Sequence, residues 1–141
     1  MKLAIDLDNL TFVNPLNPSV AAREVSMRRD DVLPLEVIFF KGGTRFELAD
    51  GTTVSGQLNE KDTYGGAGLS SDSSADKTGT GVDSVYTLDF DLSGAAVDSA
   101  FTAESDPAYL NALLEVKLDD GTHTQRTAPL TVRLQNAVDQ A

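Results

Sequence analysis

The sequence has 141 residues, 40% of them apolar, which is one domain's worth and enough for a core hiding roughly two-thirds of the unfolded chain's surface. Its 22 acidic side chains against 11 basic ones leave a net charge of -11, which repels a phosphate backbone or an anionic lipid surface and argues against nucleic-acid and membrane partners. The absence of cysteine excludes disulfides, thiolate nucleophiles and thiolate metal sites, and the longest apolar run, Val37-Ile38-Phe39-Phe40, is far too short for a bilayer span.

Met1-Lys2-Leu3-Ala4-Ile5-Asp6 meets an acid too early to form a signal-peptide apolar region, so residence in a cytoplasm, or in something assembled there, is expected. Leu3, Ile5 and Leu7 alternate with Lys2, Ala4 and Asp6, the period of a half-buried strand, and Leu10-Phe12 follows after a short break. Asn14-Pro15-Leu16-Asn17-Pro18 reads as a turn or stiff connector, because proline cannot donate to a sheet interior. Val20 to Arg29 fits either a helical turn at Ala21-Ala22-Arg23-Glu24 or an edge strand around Val25-Met27.

Leu35 to Lys41 is the strongest strand, apolar on both faces, which predicts a central position covered on both sides. Arg45 to Leu48 continues the alternation, Asp50-Gly51 supplies turn chemistry, and Val54 to Leu58 returns as a strand. Gly65 to Gly81 holds one large apolar residue, Leu69, too little to offset the entropy of ordering, and is expected to be a long, flexible, Gly/Ser-rich surface loop.

Val82 to Leu92 predicts a strand with Tyr86, Leu88, Phe90 and Leu92 inward and Thr87, Asp89 and Asp91 outward. Gly94 to Phe101 suits a brief helix. Tyr109 to Leu118, the turn Asp119-Asp120-Gly121-Thr122 and the alternating Leu130, Val132 and Leu134 complete the chain. Together these predict a single all-β domain over 1–141, an antiparallel immunoglobulin-like β-sandwich of about seven or eight strands.

Chemistry-bearing residues are few. His123 is the one histidine, so any Ser-His-Asp relay must use it, yet it sits beside Gly121 where a solvated turn side chain is the plainer reading. Asp6/Asp8 and Asp89/Asp91 each place two carboxylates on one strand face, which could begin a calcium site needing about six to eight oxygens or simply be solvated. Paired-carboxylate sugar hydrolysis is disfavoured, because the chain has no Trp and three Tyr for a sugar platform. Lys77-Thr78 lacks the preceding glycine of a phosphate-binding loop. Arg28-Arg29-Asp30-Asp31 reads as a solvated charged turn. The chain is therefore expected to be no enzyme, with no catalytic, cofactor-binding or metal-binding residue assigned and no cofactor.

Three stretches carry a resemblance. They are Arg29-Asp30-Asp31 leading into Leu33-Pro34-Leu35-Glu36-Val37-Ile38-Phe39, then Tyr86 to Leu92 running on to Phe101, and Leu113-Leu114-Glu115-Val116 followed by Asp120-Gly121, Thr127 and Leu130 to Val138. Over residues 25 to 138 the chain resembles the amino-terminal domains of bacteriophage baseplate upper proteins and tail-fibre attachment proteins. That resemblance implies a structural virion component, assembled in the host cytoplasm. It would dock on other virion proteins of tail, fibre or capsid, and form a homo-oligomer. Such proteins often run on into a fibre, whereas this sequence stops at Ala141, leaving room for a neck or capsid decoration role. A carbohydrate-binding or adhesion module is the alternative from another class.

Overall fold

A computed structural model describes residues 1–61 and 68–136. The first sheet takes β1 (Lys2–Asp6), β2 (Thr11–Asn14), β3 (Asn17–Ala21), β5 (Val32–Lys41), β6 (Thr44–Arg45), β9 (Asp76–Thr78) and β10 (Val85–Asp91). Its order is β3-β2-β1-β5-β10-β9, with β6 paired to β5. The second sheet takes β4 (Glu24–Arg28), β7 (Thr53–Glu60), β8 (Ser70–Asp72), β11 (Tyr109–Asp119), β12 (Thr124–Arg126) and β13 (Leu130–Gln135). Its order is β4-β13-β11-β7-β8, with β12 paired to β11. The protein is thus mainly β, two sheets packed face to face.

The period-two pattern explains the packing. Leu35, Val37 and Phe39 of β5 and Tyr86, Leu88 and Phe90 of β10 point between the sheets, meeting Val54, Leu58, Ala112, Leu114, Val116, Val132 and Leu134 from the opposite layer. Phe39 and Phe90 are wholly buried; hiding a side chain of that size stabilises by about 1.5–3 kcal/mol. Phe39 meets the Tyr86 ring edge-on, with centroids 5.3 Å apart. Strand β5 lies between β1 and β10, the central place its doubly apolar sequence predicts. Its other face supplies Ile38 and Phe40, which join Ala4 and Val13 in a second, smaller cluster.

Gly56 shows how closely the layers approach. A Cβ there would stand 2.9 Å from Leu88 Cδ1 and 3.0 Å from Phe90 Cζ, so β10 side chains pack directly on the β7 backbone. Gly51, at φ +84, turns the chain into β7 as the Asp50-Gly51 pair predicts.

Helix α1 (Ala95–Ala103) follows β10, as the sequence suggests, and buries Val97, Ala100 and Phe101. It ends where Ser105 and Asp106 take positive φ and the Asp106 N–H donates to the Phe101 carbonyl at 2.8 Å.

Three expectations need correction. The sheets are mixed rather than antiparallel: β1 pairs in parallel with β5, and β4 in parallel with β13. Parallel neighbours need a crossover, and β2, β3 and β4 provide it for the first pair. Second, 13 strands are present among the described residues, not seven or eight, because pieces of two or three residues such as β6, β8, β9 and β12 are too short for periodicity to reveal. Third, 65–81 is not one free loop. Gly65 to Ala67 lie outside the described residues, but beyond them β8 pairs with β7 and β9 with β10. Backbone pairing orders a stretch that has almost no side-chain payload, anchored by buried Leu69 and by the Ala75 N–H donating to the Val54 carbonyl at 2.7 Å.

Both margins of the sandwich are crossed by the chain. Ala22-Arg23 leads from edge strand β3 of one sheet to edge strand β4 of the other, and Ser73 to Ala75 leads from β8 to β9 at the opposite margin. Pro18 sits on β3, an edge strand, where its missing N–H costs no ladder bond.

Candidate functional site

A groove of about 470 Å³ lies on the outer face of the second sheet. Alternation along β11 turns Glu115, Lys117 and Asp119 outward while Leu114, Val116 and Leu118 enter the core. Strand β7 adds Thr53, Ser55 and Gln57, and Ser71, Asp72 and Ser73 form one wall. Arg126 of β12 stands opposite Lys117 in the pairing and donates through Nη1 to Glu115 Oε1 at 3.0 Å. The lining is polar and of mixed charge. His123 is not part of it, so its serines have no imidazole beside them. The arrangement suits hydrogen bonding and ion pairing with a surface or a polar ligand.

His123 borders a second depression of about 360 Å³ with Leu7, Phe46, Leu48 and Leu118. Its side chain is 79% exposed, and Nδ1 lies 3.8 Å from Asp120 Oδ2. Asp120 Oδ1 accepts the backbone N–H groups of His123 at 2.6 Å and Thr122 at 2.8 Å. Those donors, His123 first, hold the Asp120 carboxyl below its ordinary value. The carboxylate therefore shapes the turn, and His123 is the solvated turn side chain that the sequence suggests.

The two Asp-x-Asp pairs fare differently. Asp6 ends β1 and Asp8 lies in the following turn, so they do not share a strand face. Asp6 Oδ1 accepts the Asp8 N–H at 3.0 Å, and Asp8 Oδ2 accepts the Gly42 N–H at 2.7 Å. Asp89 and Asp91 do share the exposed face of β10. Asp91 is engaged by Ser93, whose hydroxyl and then backbone N–H lower its pKa. Among the described residues no three acidic or histidine side chains gather as a cation would require.

The charged turn at Arg28 to Asp31 contains a structural residue the sequence did not reveal. The Arg29 side chain is only 19% exposed. Its Nη2 donates to Asp98 Oδ1 at 3.1 Å, Nη1 donates to Asn136 Oδ1 at 2.9 Å, and Asp106 lies 3.6 Å from Nη1. The guanidinium also sits 4.9 Å from the centroid of Phe101. The turn is locked by Asp30 at φ 74 and by the Asp30 N–H donating to the Leu92 carbonyl at 3.0 Å. All these partners are remote in sequence, so local pattern carried no sign of them.

Asp72 was also missed, inside the presumed loop. Its Oδ2 accepts the Asp89 N–H at 2.8 Å. That bond satisfies a donor on the β10 margin beyond the reach of β9 and ties β8 to the first sheet.

No protein-family model matches the sequence, and no curated protein matches it.

Proposed function

We propose that the chain is a non-enzymatic virion structural protein, a tail, baseplate or fibre-attachment component with an immunoglobulin-like sandwich that acts by docking on other virion proteins. The observation that carries the reading is Leu16, 95% exposed in the turn between β2 and β3, with Val20 of β3 also 47% exposed behind it. The turn itself asks for no apolar side chain, since the Asn14 carboxamide already accepts the Leu16 N–H at 2.9 Å. An apolar contact residue on a projecting hairpin suits the buried centre of a protein–protein interface. The stretches that carry the phage resemblance motivate the same reading; they lie in β5, β10, β11 and β13. Ala137 and Val138 of the third stretch lie outside the described residues.

The test is composition of purified particles. An antibody against the chain is expected to label phage particles from the producing cells, and Leu16→Asp is expected to abolish incorporation. Particles that lack the chain altogether sink the reading.

The polar groove over β7, β8 and β11 favours a second reading, a carbohydrate-binding or adhesion module. Tight, selective binding on a glycan array that is lost in Glu115→Ala and Arg126→Ala would support it.

A further inference from the structure

We infer that β4 is a self-complementary edge through which two copies of this chain pair antiparallel, about a two-fold axis at Ser26. The inference stands apart from the virion reading and needs no virion partner.

Strand β4 borders the second sheet, with β13 on one side and, among the described residues, no strand on the other. The Arg29 N–H donates to the Gln135 carbonyl at 2.8 Å, which sets the phase of the parallel ladder. Residues in that phase, Val25 and Met27, turn their backbone groups to β13, and the alternate residues Glu24, Ser26 and Arg28 turn theirs to the open side. Unpaired strand edges of this kind are templates for another strand.

The side chains on that strand are complementary to a second copy of themselves. Glu24, Ser26 and Arg28 are all exposed, whereas Met27 is buried and Val25 partly so. If Ser26 pairs with Ser26 of a second copy running the other way, Glu24 falls opposite the second copy's Arg28, and Arg28 opposite its Glu24. Two symmetry-related ion pairs flank a small neutral centre. The three outward-facing residues of each copy also fall in the register where both backbone groups of each pair exchange hydrogen bonds. The arrangement is isologous, each copy giving the other the same patch.

Two existing contacts are compatible with it. Arg133 Nε lies 3.5 Å from Glu24 Oε1 and leaves the carboxylate room for a second cation. The Arg28 carbonyl accepts the Asp31 N–H at 3.3 Å and retains a second lone pair. Each copy carries a net charge of -11, a repulsion that physiological salt screens beyond about 8 Å while the contacting pairs persist.

Charge exchange tests the register. Sedimentation equilibrium at physiological salt is expected to show a dimer of the wild-type chain. Glu24→Arg alone puts arginine opposite arginine, and Arg28→Glu alone puts glutamate opposite glutamate, so each is expected to weaken self-association roughly tenfold. An equal mixture of these two variants is expected to restore a dimer, because every facing pair is then of opposite sign. Ser26→Pro removes an N–H that the intramolecular sheet does not use and is expected to abolish pairing. Circular dichroism confirms that each variant is folded, and the mixing result stands even if the proline variant is not. A wild-type chain that stays monomeric at its highest soluble concentration overturns the inference, as does a dimer that neither charge variant weakens, or a mixture that fails to restore it.

Discussion

Arg29 reaches across 69 positions of sequence to Asp98, closing a 3.1 Å ion pair while its guanidinium covers the Phe101 ring. The pair joins the turn after β4 to helix α1 at one end of the sandwich. Replacing Arg29 with Met keeps bulk but strips the donors from Asp98 and Asn136. Losing hydrogen bonds to partners that water can reach, with the Asp98 side chain 51% exposed, costs about 0.5–1.5 kcal/mol, and urea unfolding is expected to show a loss of that size. Arg29→Lys is expected to recover only part of it, since an ammonium cannot serve these partners and lie flat on the ring together. An unchanged unfolding midpoint in both variants contradicts the role.

Tyr86 offers a single-atom test. Its hydroxyl oxygen accepts the buried Leu48 N–H at 3.0 Å. Tyr86→Phe retains the ring against Phe39 and orphans that donor, an expected destabilisation of about 1–3 kcal/mol. Hydrogen exchange at the Leu48 amide is expected to accelerate in the variant.

Gly56 is expected to tolerate no side chain in the native packing. Overfilling a packed core costs about 1–3 kcal/mol, so Gly56→Val should lower the melting temperature. Leu88→Ala on top of it is expected to cost less than Leu88→Ala does alone, because Leu88 Cδ1 is the nearest atom that the new side chain would meet. Additive penalties in the double mutant would contradict that close approach.

Acid and alkali act in opposite senses on one contact. Lys77 Nζ donates to Glu47, and the Gly81 N–H adds a second donor at 3.2 Å. These hold the Glu47 carboxyl below its ordinary value, Lys77 first, and the Glu47 hydrogen bond lifts Lys77 above its own. A depressed carboxyl stabilises the fold above its unfolded pKa and loses that contribution as pH falls through the folded one. A raised ammonium stabilises below its unfolded pKa and loses its contribution as pH rises through the folded one. The contact is therefore fully formed across neutral pH, though solvent keeps it weak. Urea midpoints for wild type and Glu47→Gln are expected to differ at neutral pH and converge in acid. A gap that persists in acid excludes this origin.

Calcium is expected to leave the protein's melting temperature unchanged. Asp8 serves the Gly42 amide and Asp91 serves Ser93. A calcium-dependent shift that Asp89→Asn or Asp91→Asn removes would reverse the conclusion.

The alternating stripes of β5, β10, β11 and β13 were legible because side-chain direction in a strand repeats every second residue, whatever the strand later pairs with. Other local signals placed α1, the turn at Gly51 and, through the neighbouring Gly121, the solvated position of His123. They could not show which strands become neighbours. The parallel pairings of β1 with β5 and β4 with β13, the ordering of β8 and β9, the groove over β7 and β11, and the partners of Arg29 all join residues far apart in sequence. Those features depend on hydrogen bonds and contacts that exist only after the two sheets close on one another, so the tertiary structure alone decided them.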